Sequence, residues 1–149
     1  MPRNIGVQGR PIGAFASATT LVGTTITAIS GLSIAIPTVG VWKLEGYIPT
    51  VIVGLPTGFT LTVNSGPTVS GMSVLVRRYD ATTAWVDSYL TAFGATSTSS
   101  TLTAQTYLFS LNGSATLTSA GTYSVSMTRT GGTSATTQVG SFLLATRID

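Results

Sequence analysis

The sequence predicts an all-β domain, a sandwich or barrel of antiparallel strands with no helix between them. Three observations predict it. Apolar residues recur with a period of two, as in Phe59, Leu61 and Val63 against Thr60 and Thr62, and no window carries the 3.6-residue period of an amphipathic helix. Turn residues fall at short, regular intervals, the spacing of an all-β chain with no crossover helices. Charged residues are only 7% of the chain while hydrophobic ones reach 43%. With β-branched and aromatic residues this plentiful, the low charge indicates an ordered domain with a hydroxyl-rich surface, not disorder.

The elements follow in order. The opening "MPRNIGVQGRPIG" holds Pro2, Gly6, Gly9, Pro11 and Gly13 with little periodicity, and residues 1–14 read as an extended N-terminal arm. Residues 15–149 form a single domain, its length being that of one ordinary core. Roughly seven to nine short strands fill it. "LVGTTITAI" is rich in β-branched residues, and "LSIAI" puts Leu32, Ile34 and Ile36 on one face before Pro37. "VGVWKLEGYI" alternates Trp42, Leu44 and Ile48 against Val41, Lys43, Glu45 and Tyr47, the second set being the side that meets water. "FTLTV" is next; Met72, Val74 and Val76 then share a face, and "WVDSYL" is a further strand. The Ser/Thr-rich run from Gly94 to Thr101 reads as a surface loop. "TLTAQTYLFSL" carries Tyr107, Phe109 and Leu111 on one face, and Asn112-Gly113 signals a turn or bulge after it. Tyr123, Val125 and Met127 alternate with hydroxyls in the next strand.

Composition removes most chemistry. The chain has no histidine and no cysteine, which excludes Ser–His–Asp and Cys–His catalysis, ordinary zinc sites and disulfides. "GLPTG" lacks the lysine of a phosphate-binding loop. The four acids are Glu45, Asp80, Asp87 and Asp149. Asp80 and Asp87 flank a turn and are expected as loop acids near Arg77 or Arg78, not as a catalytic or calcium-binding pair. No enzymatic activity, cofactor or metal is expected. The net charge of +3 rests on Arg3, Arg10, Lys43, Arg77, Arg78, Arg129 and Arg147, which form no dense run, so no direct nucleic-acid partner is expected. "YIPTVIVGLPTGFTLTV" is broken by prolines and is a poor membrane helix, and Met1 to Arg10 has no apolar signal region. Trp42, Trp85, Tyr79 and Tyr89 are the candidates for a sugar platform, with core placement the plainer expectation.

The last strand, "SFLLATRID", is apolar on both sides. Phe142, Leu144 and Ile148 on one face are expected to fill the core. Leu143 and Ala145 on the other then need a second partner: neighbouring subunits, or the arm or a loop of the same chain. With Arg147 they form the expected subunit interface.

The Trp42 strand leading to "EGYIP", the stretch "LNGSATLTSAGTYSVSMTRT" and the ending "SFLLATRID" together resemble small jelly-roll proteins of tailed bacteriophages, in particular trimeric capsid decoration (cement) proteins. The matching features are Ala135, Thr136 and Thr137 in a polar loop, then Gly140, Ser141, Phe142, Leu143 and Arg147. The likeness is loose over Val39–Asp149 and better from Gly113 onward. Such proteins often carry a Trp where this chain has Phe142, and a Gln-Trp or Gln-Phe pair where it has Ser126-Met127. The resemblance implies a jelly-roll-like antiparallel β-sandwich with an extended N-terminal arm. It implies a homotrimer on the outer surface of the virion capsid, bound to the major capsid protein and bridging its subunits. Arg3, Ile5, Val7 and Arg10 of the arm are the expected capsid tether. A glycan- or receptor-binding domain of a phage fibre is the alternative.

Overall fold

The computed structural model describes residues 9–54, 56–64, 66–79, 86–100, 102 and 104–149. Among them are twelve strands: β1 (Ile12–Phe15), β2 (Thr20–Leu21), β3 (Thr27–Ile36), β4 (Gly40–Val53), β5 (Pro56–Val63), β6 (Val69–Tyr79), β7 (Val86–Leu90), β8 (Thr96–Ser100), β9 (Thr106–Leu117), β10 (Gly121–Gly131), β11 (Ser134–Thr137) and β12 (Phe142–Arg147). Eight form a large sheet ordered β1-β12-β4-β9-β6-β7, with β11 beside the later part of β4 and β2 beyond β11. The other four form a small sheet ordered β3-β10-β5-β8. Every pairing is antiparallel. From β2 onward the chain stays within a sheet only between β6 and β7 and between β11 and β12, and otherwise passes from one sheet to the other. That is a jelly-roll-like sandwich.

The alternation in the sequence becomes the inter-sheet core. Trp42, Leu44, Ile48, Phe109 and Leu111 of the large sheet meet Ile34, Phe59, Leu61, Tyr123 and Val125 of the small one, all of them buried. Phe59 and Phe109 stack across the gap with ring centroids 5.2 Å apart. The Tyr123 hydroxyl donates to the Glu45 carbonyl at 3.4 Å, and burial, with the Glu45 charge nearby, pushes its pKa above the usual phenol value.

Three stretches depart from the sequence reading. The Ser/Thr run expected as a loop contains β8, which pairs with β5 through Thr98↔Thr60 and Thr96↔Thr62; threonine is β-branched, and a neighbouring strand takes up the backbone groups that a loop would give to water. The polar loop expected around Ala135 to Thr137 is β11, paired with β4 and β2. Asn112-Gly113 does not turn the chain: β9 runs straight through it, with Gly113 opposite Leu44 and Val74. A Cβ at Gly113 would collide with the Ser73 carbonyl and come within 2.6 Å of Val74 Cα, so this glycine permits a close approach of β6 and β9.

β4 also continues through Pro49. Its neighbour on one side changes there: β12 pairs as far as Tyr47, and β11 begins at Thr50. The Pro49 carbonyl accepts from Gln138 N at 2.9 Å on that side, so the missing N–H falls where neither strand needs it.

Candidate functional site

Register rows across the large sheet define its two faces. In β4 the positions paired with β12 alternate between Gly46 and Leu44, which point inward, and Tyr47 and Glu45, which point out. Because Leu143 sits opposite Gly46 and Ala145 opposite Leu44, both belong to the inner face and are fully buried. This corrects the expected subunit interface. Leu143 and Ala145 are core residues of a single chain, whereas Phe142 and Leu144, expected in the core, lie half-buried on the outer face. Ile148 follows the strand and is exposed. Gly46 gives the physical reason: a Cβ there would lie 2.8 Å from Leu143 Cδ2 and 2.9 Å from Leu111 Cδ1. The missing side chain makes the space that Leu143 fills.

Arg147 is half-buried, and its Nε donates to Asp149 Oδ1 at 2.8 Å. Of the expected capsid tether, Arg3, Ile5 and Val7 lie outside the described residues, and Arg10 is exposed. Gly9 N donates to the Arg147 carbonyl at 3.3 Å, and Ile12–Phe15 pairs with β12, so residues 12–14 of the expected arm run along the sheet as part of β1.

The outer face of the large sheet gathers several exposed and half-buried aromatic and aliphatic side chains. One row runs Phe15–Phe142–Tyr47–Ser110–Arg77–Asp87, and the next Gly13–Leu144–Glu45–Asn112–Leu75–Tyr89. At the first end Phe142 stacks on Tyr47 with centroids 5.7 Å apart and planes 10° from parallel, and Phe15 lies 6.1 Å away on its other side. At the far end Tyr89 is 68% exposed beside an ion pair. Arg77 Nε and Nη2 hold Asp87 Oδ1 and Oδ2 at 2.8 and 3.0 Å, and these bonds keep the Asp87 carboxyl below its usual range. Lys43 pairs with Glu45 at 2.9 Å on the same face. The charges of both rows are thus balanced within the face.

Of the exposed large hydrophobic residues, Phe15, Leu21, Tyr47, Val53, Tyr79 and Tyr89 lie on this outer face, whereas Ile26, the most exposed of them, and Val39, Val139 and Ile148 lie in segments beside the strands. Ile26 directly precedes β3, but none of the described ones lies within a strand of the small sheet. Its outer face carries hydroxyls instead, including a row Thr128–Thr60–Thr98, with Ser30 and Ser33 exposed on β3. Sequence alternation puts Tyr47 on the wet side of β4 but does not show that Phe15 and Phe142 stand beside it, since that depends on pairing between strands far apart in sequence.

Of the sugar-platform candidates, Trp42 is in the core, with Nε1 donating to the Thr38 carbonyl at 3.2 Å, and Tyr79 and Tyr89 are exposed. Trp85 and Asp80 lie outside the described residues. Asp87 sits near Arg77 as expected, on a strand and not in a loop. Among the described residues there is no pocket and no group of three side chains fit to hold a metal ion.

Comparison with known proteins adds to the fold. No protein-family model matches the chain, and no curated protein matches it. Among solved structures it is similar to the Eiger TNF of S. frugiperda, at 11% identity over 95% of this chain and 94% of that one, with a TM-score of 0.51. A structure of infectious bursal disease virus, Gt strain, aligns at 10% identity over 95% of this chain but 38% of the viral one, with a TM-score of only 0.22. The TNF likeness, at this identity, speaks to architecture: the chain has a jelly-roll-like all-β fold.

Proposed function

We propose that this chain is a non-enzymatic structural protein of a virion: a capsid decoration, or cement, protein of a tailed bacteriophage. On this reading it forms a homotrimer on the outer surface of the head and bridges neighbouring major capsid subunits, with the segment before β1 as tether. Neither nucleic acid nor membrane takes part. The observation that carries the reading is the two-sided surface. An isolated soluble domain has no need of a sheet face that gathers Phe15, Phe142, Tyr47, Leu75 and Tyr89 while the opposite face is nearly all Ser and Thr. A subunit held in an assembly has that need, and its scarcity of charge suits permanent contact. The phage-like ending supports the choice of assembly.

Cryo-EM of the native particle tests it. Density for three copies on the head surface is expected; finding the protein only on a tail or fibre overturns the cement role. Release of the protein from purified heads should also lower the temperature at which the heads open.

A second reading, a glycan-binding module, is favoured by one observation. Tyr79 and Tyr89 are exposed at the end of the sheet that carries the Arg77–Asp87 pair, and an aromatic face beside polar groups suits a sugar. Glycan-array binding that disappears in Tyr89→Ala would favour it over the cement reading.

A further inference from the structure

We infer that Asn112-Gly113 is a latent deamidation site, silent while β9 is paired and reactive once the strand opens, and that the product bars the opened chain from returning to this fold. The inference stands apart from the proposed function.

The chemistry belongs to the dipeptide. The backbone nitrogen of the residue after an asparagine, once it has given up its proton, can attack the asparagine Cγ. The Cγ–Nδ2 bond breaks, ammonia leaves, and a cyclic imide joins the side chain to the main chain. Water then opens the ring at either carbonyl, leaving aspartate or isoaspartate. A following glycine favours the attack, because it has no Cβ to hinder it and its backbone turns freely. Of the three asparagines, Asn4, Asn64 and Asn112, only Asn112 is followed by glycine.

The fold requires that glycine. A Cβ at position 113 would collide with the Ser73 carbonyl oxygen and lie 2.6 Å from Val74 Cα, so no other residue fits where β6 and β9 approach. Asn112 is exposed on the outer face, opposite Glu45 and Leu75.

The same packing withholds the reaction. Gly113 sits opposite Leu44 on one side and Val74 on the other, so its N–H points into one of two ladders. The register with β4 is unbroken, and the shift on the β6 side falls between Val69 and Gly71, away from this pair. Attack on Cγ requires the Asn112 backbone to leave the extended range and the Gly113 N–H to leave its ladder. Ser73 and Val74 lie too close to Gly113 for that peptide to swing while the sheet is closed. Water at the Asn112 side chain is therefore not enough; β9 must first part from its neighbours.

The product does not fit back. Isoaspartate routes the main chain through the former side chain and lengthens it by a methylene. That displaces the rest of β9, including Ala115 and Leu117, which are buried in the core, and a central strand must match two partners at once. The aspartate product keeps the register but sets a second carboxylate directly opposite Glu45, an unfavourable like-charge pair. Opening followed by deamidation is a one-way step, against which the closed sheet protects kinetically.

Matched incubations of the full chain test this, one in native buffer and one in guanidinium, both warm and mildly alkaline. Peptide mass spectrometry reads amide-to-acid conversion at Asn112, with Asn64 as internal comparison, and isoaspartyl methyltransferase reads isoaspartate. Conversion at Asn112 is expected to be about 100-fold faster or more in guanidinium, and faster there than at Asn64. On dilution, recovery of the native circular dichroism should fall as isoaspartate accumulates. Asn112→Gln, whose longer side chain closes a ring far more slowly, should keep the recovery of a briefly unfolded sample, and Asn112→Ser serves as a second unreactive variant. Equal conversion in the two buffers overturns protection by the sheet, and conversion at Asn64 as fast as at Asn112 overturns the choice of site. Undiminished recovery of the converted chain, or the same loss of recovery in both variants, overturns the one-way step.

Discussion

Gly46 and Leu143 form a size pair, and exchanging their sizes gives a quantitative prediction. Leu143→Ala removes three buried carbons at about 0.8 kcal/mol each. With the void left behind, the loss of stability should be about 3–4 kcal/mol, within the range for Leu→Ala in a packed core. Gly46→Ala replaces a strand glycine, a gain of about 0.5–1 kcal/mol. It also presses a methyl to within 2.8 Å of Leu143 Cδ2 and 2.9 Å of Leu111 Cδ1, an overpacking that costs about 1–3 kcal/mol; the net is a loss of about 1–2 kcal/mol. In the double variant the methyl added at position 46 enters the space Leu143 has left, and Leu111 can relax into the remainder. The two effects should therefore couple favourably by about 1–2 kcal/mol, leaving the double variant about as stable as Leu143→Ala alone. Urea unfolding at one fixed protein concentration measures the cycle, because association contributes to apparent stability. Strict additivity would refute the placement of Leu143 in the inner face opposite Gly46, and a Leu143→Ala change near zero would refute its burial.

Other expectations follow from the same geometry. Gly113→Ala drives a Cβ into the backbone of Ser73 and Val74, atoms that cannot swing aside, so it should cost more than about 3 kcal/mol; a variant that melts like the native protein contradicts the close β6–β9 approach. Arg129 donates to the carbonyls of Val22, Gly131 and Gly132 at 3.0, 2.8 and 2.9 Å, tying the β10–β11 turn to the segment before β3. Arg129→Met should cost about 1.5–3 kcal/mol and speed amide exchange in both segments, and Arg129→Lys should recover little because an ammonium has no planar fork. The Asp87 carboxyl is held below its ordinary value by Arg77, so its contribution is present above the unfolded carboxylate pKa of about 3.9 and is lost as pH falls below it. Asp87→Asn should thus lower the melting temperature slightly at about pH 7, an exposed pair being weak, and its effect should shrink as pH falls below about 3.9 and the carboxyl takes up its proton; an effect that does not shrink with falling pH contradicts the ion pair.

What the sequence reveals here is decided by whether one face of a strand is polar. Thr60 and Thr62 mark the outside of β5, so Phe59, Leu61 and Val63 are read inward correctly, and the same contrast orients β4 through Lys43 and Glu45. In β12 both faces are apolar, and alternation alone cannot choose between them. The choice is made by Gly46 and Tyr47, which leave a hole inside and a ring outside at the points where Leu143 and Phe142 arrive. The hydroxyl-rich β8 and β11 are hidden for a related reason. Their residues look like a loop until β5 and β4 supply the pairing. The candidate surface is least legible of all. Its aromatic end comes from β1, β4 and β12, and its other end from β6 and β7, so no local window contains it.

Self-association of this chain is the central claim, and sedimentation of the native chain at micromolar concentration tests it most directly. The predicted result is a particle of three times the 15.2 kDa chain mass. A native chain that sediments at the mass of a single copy would contradict it.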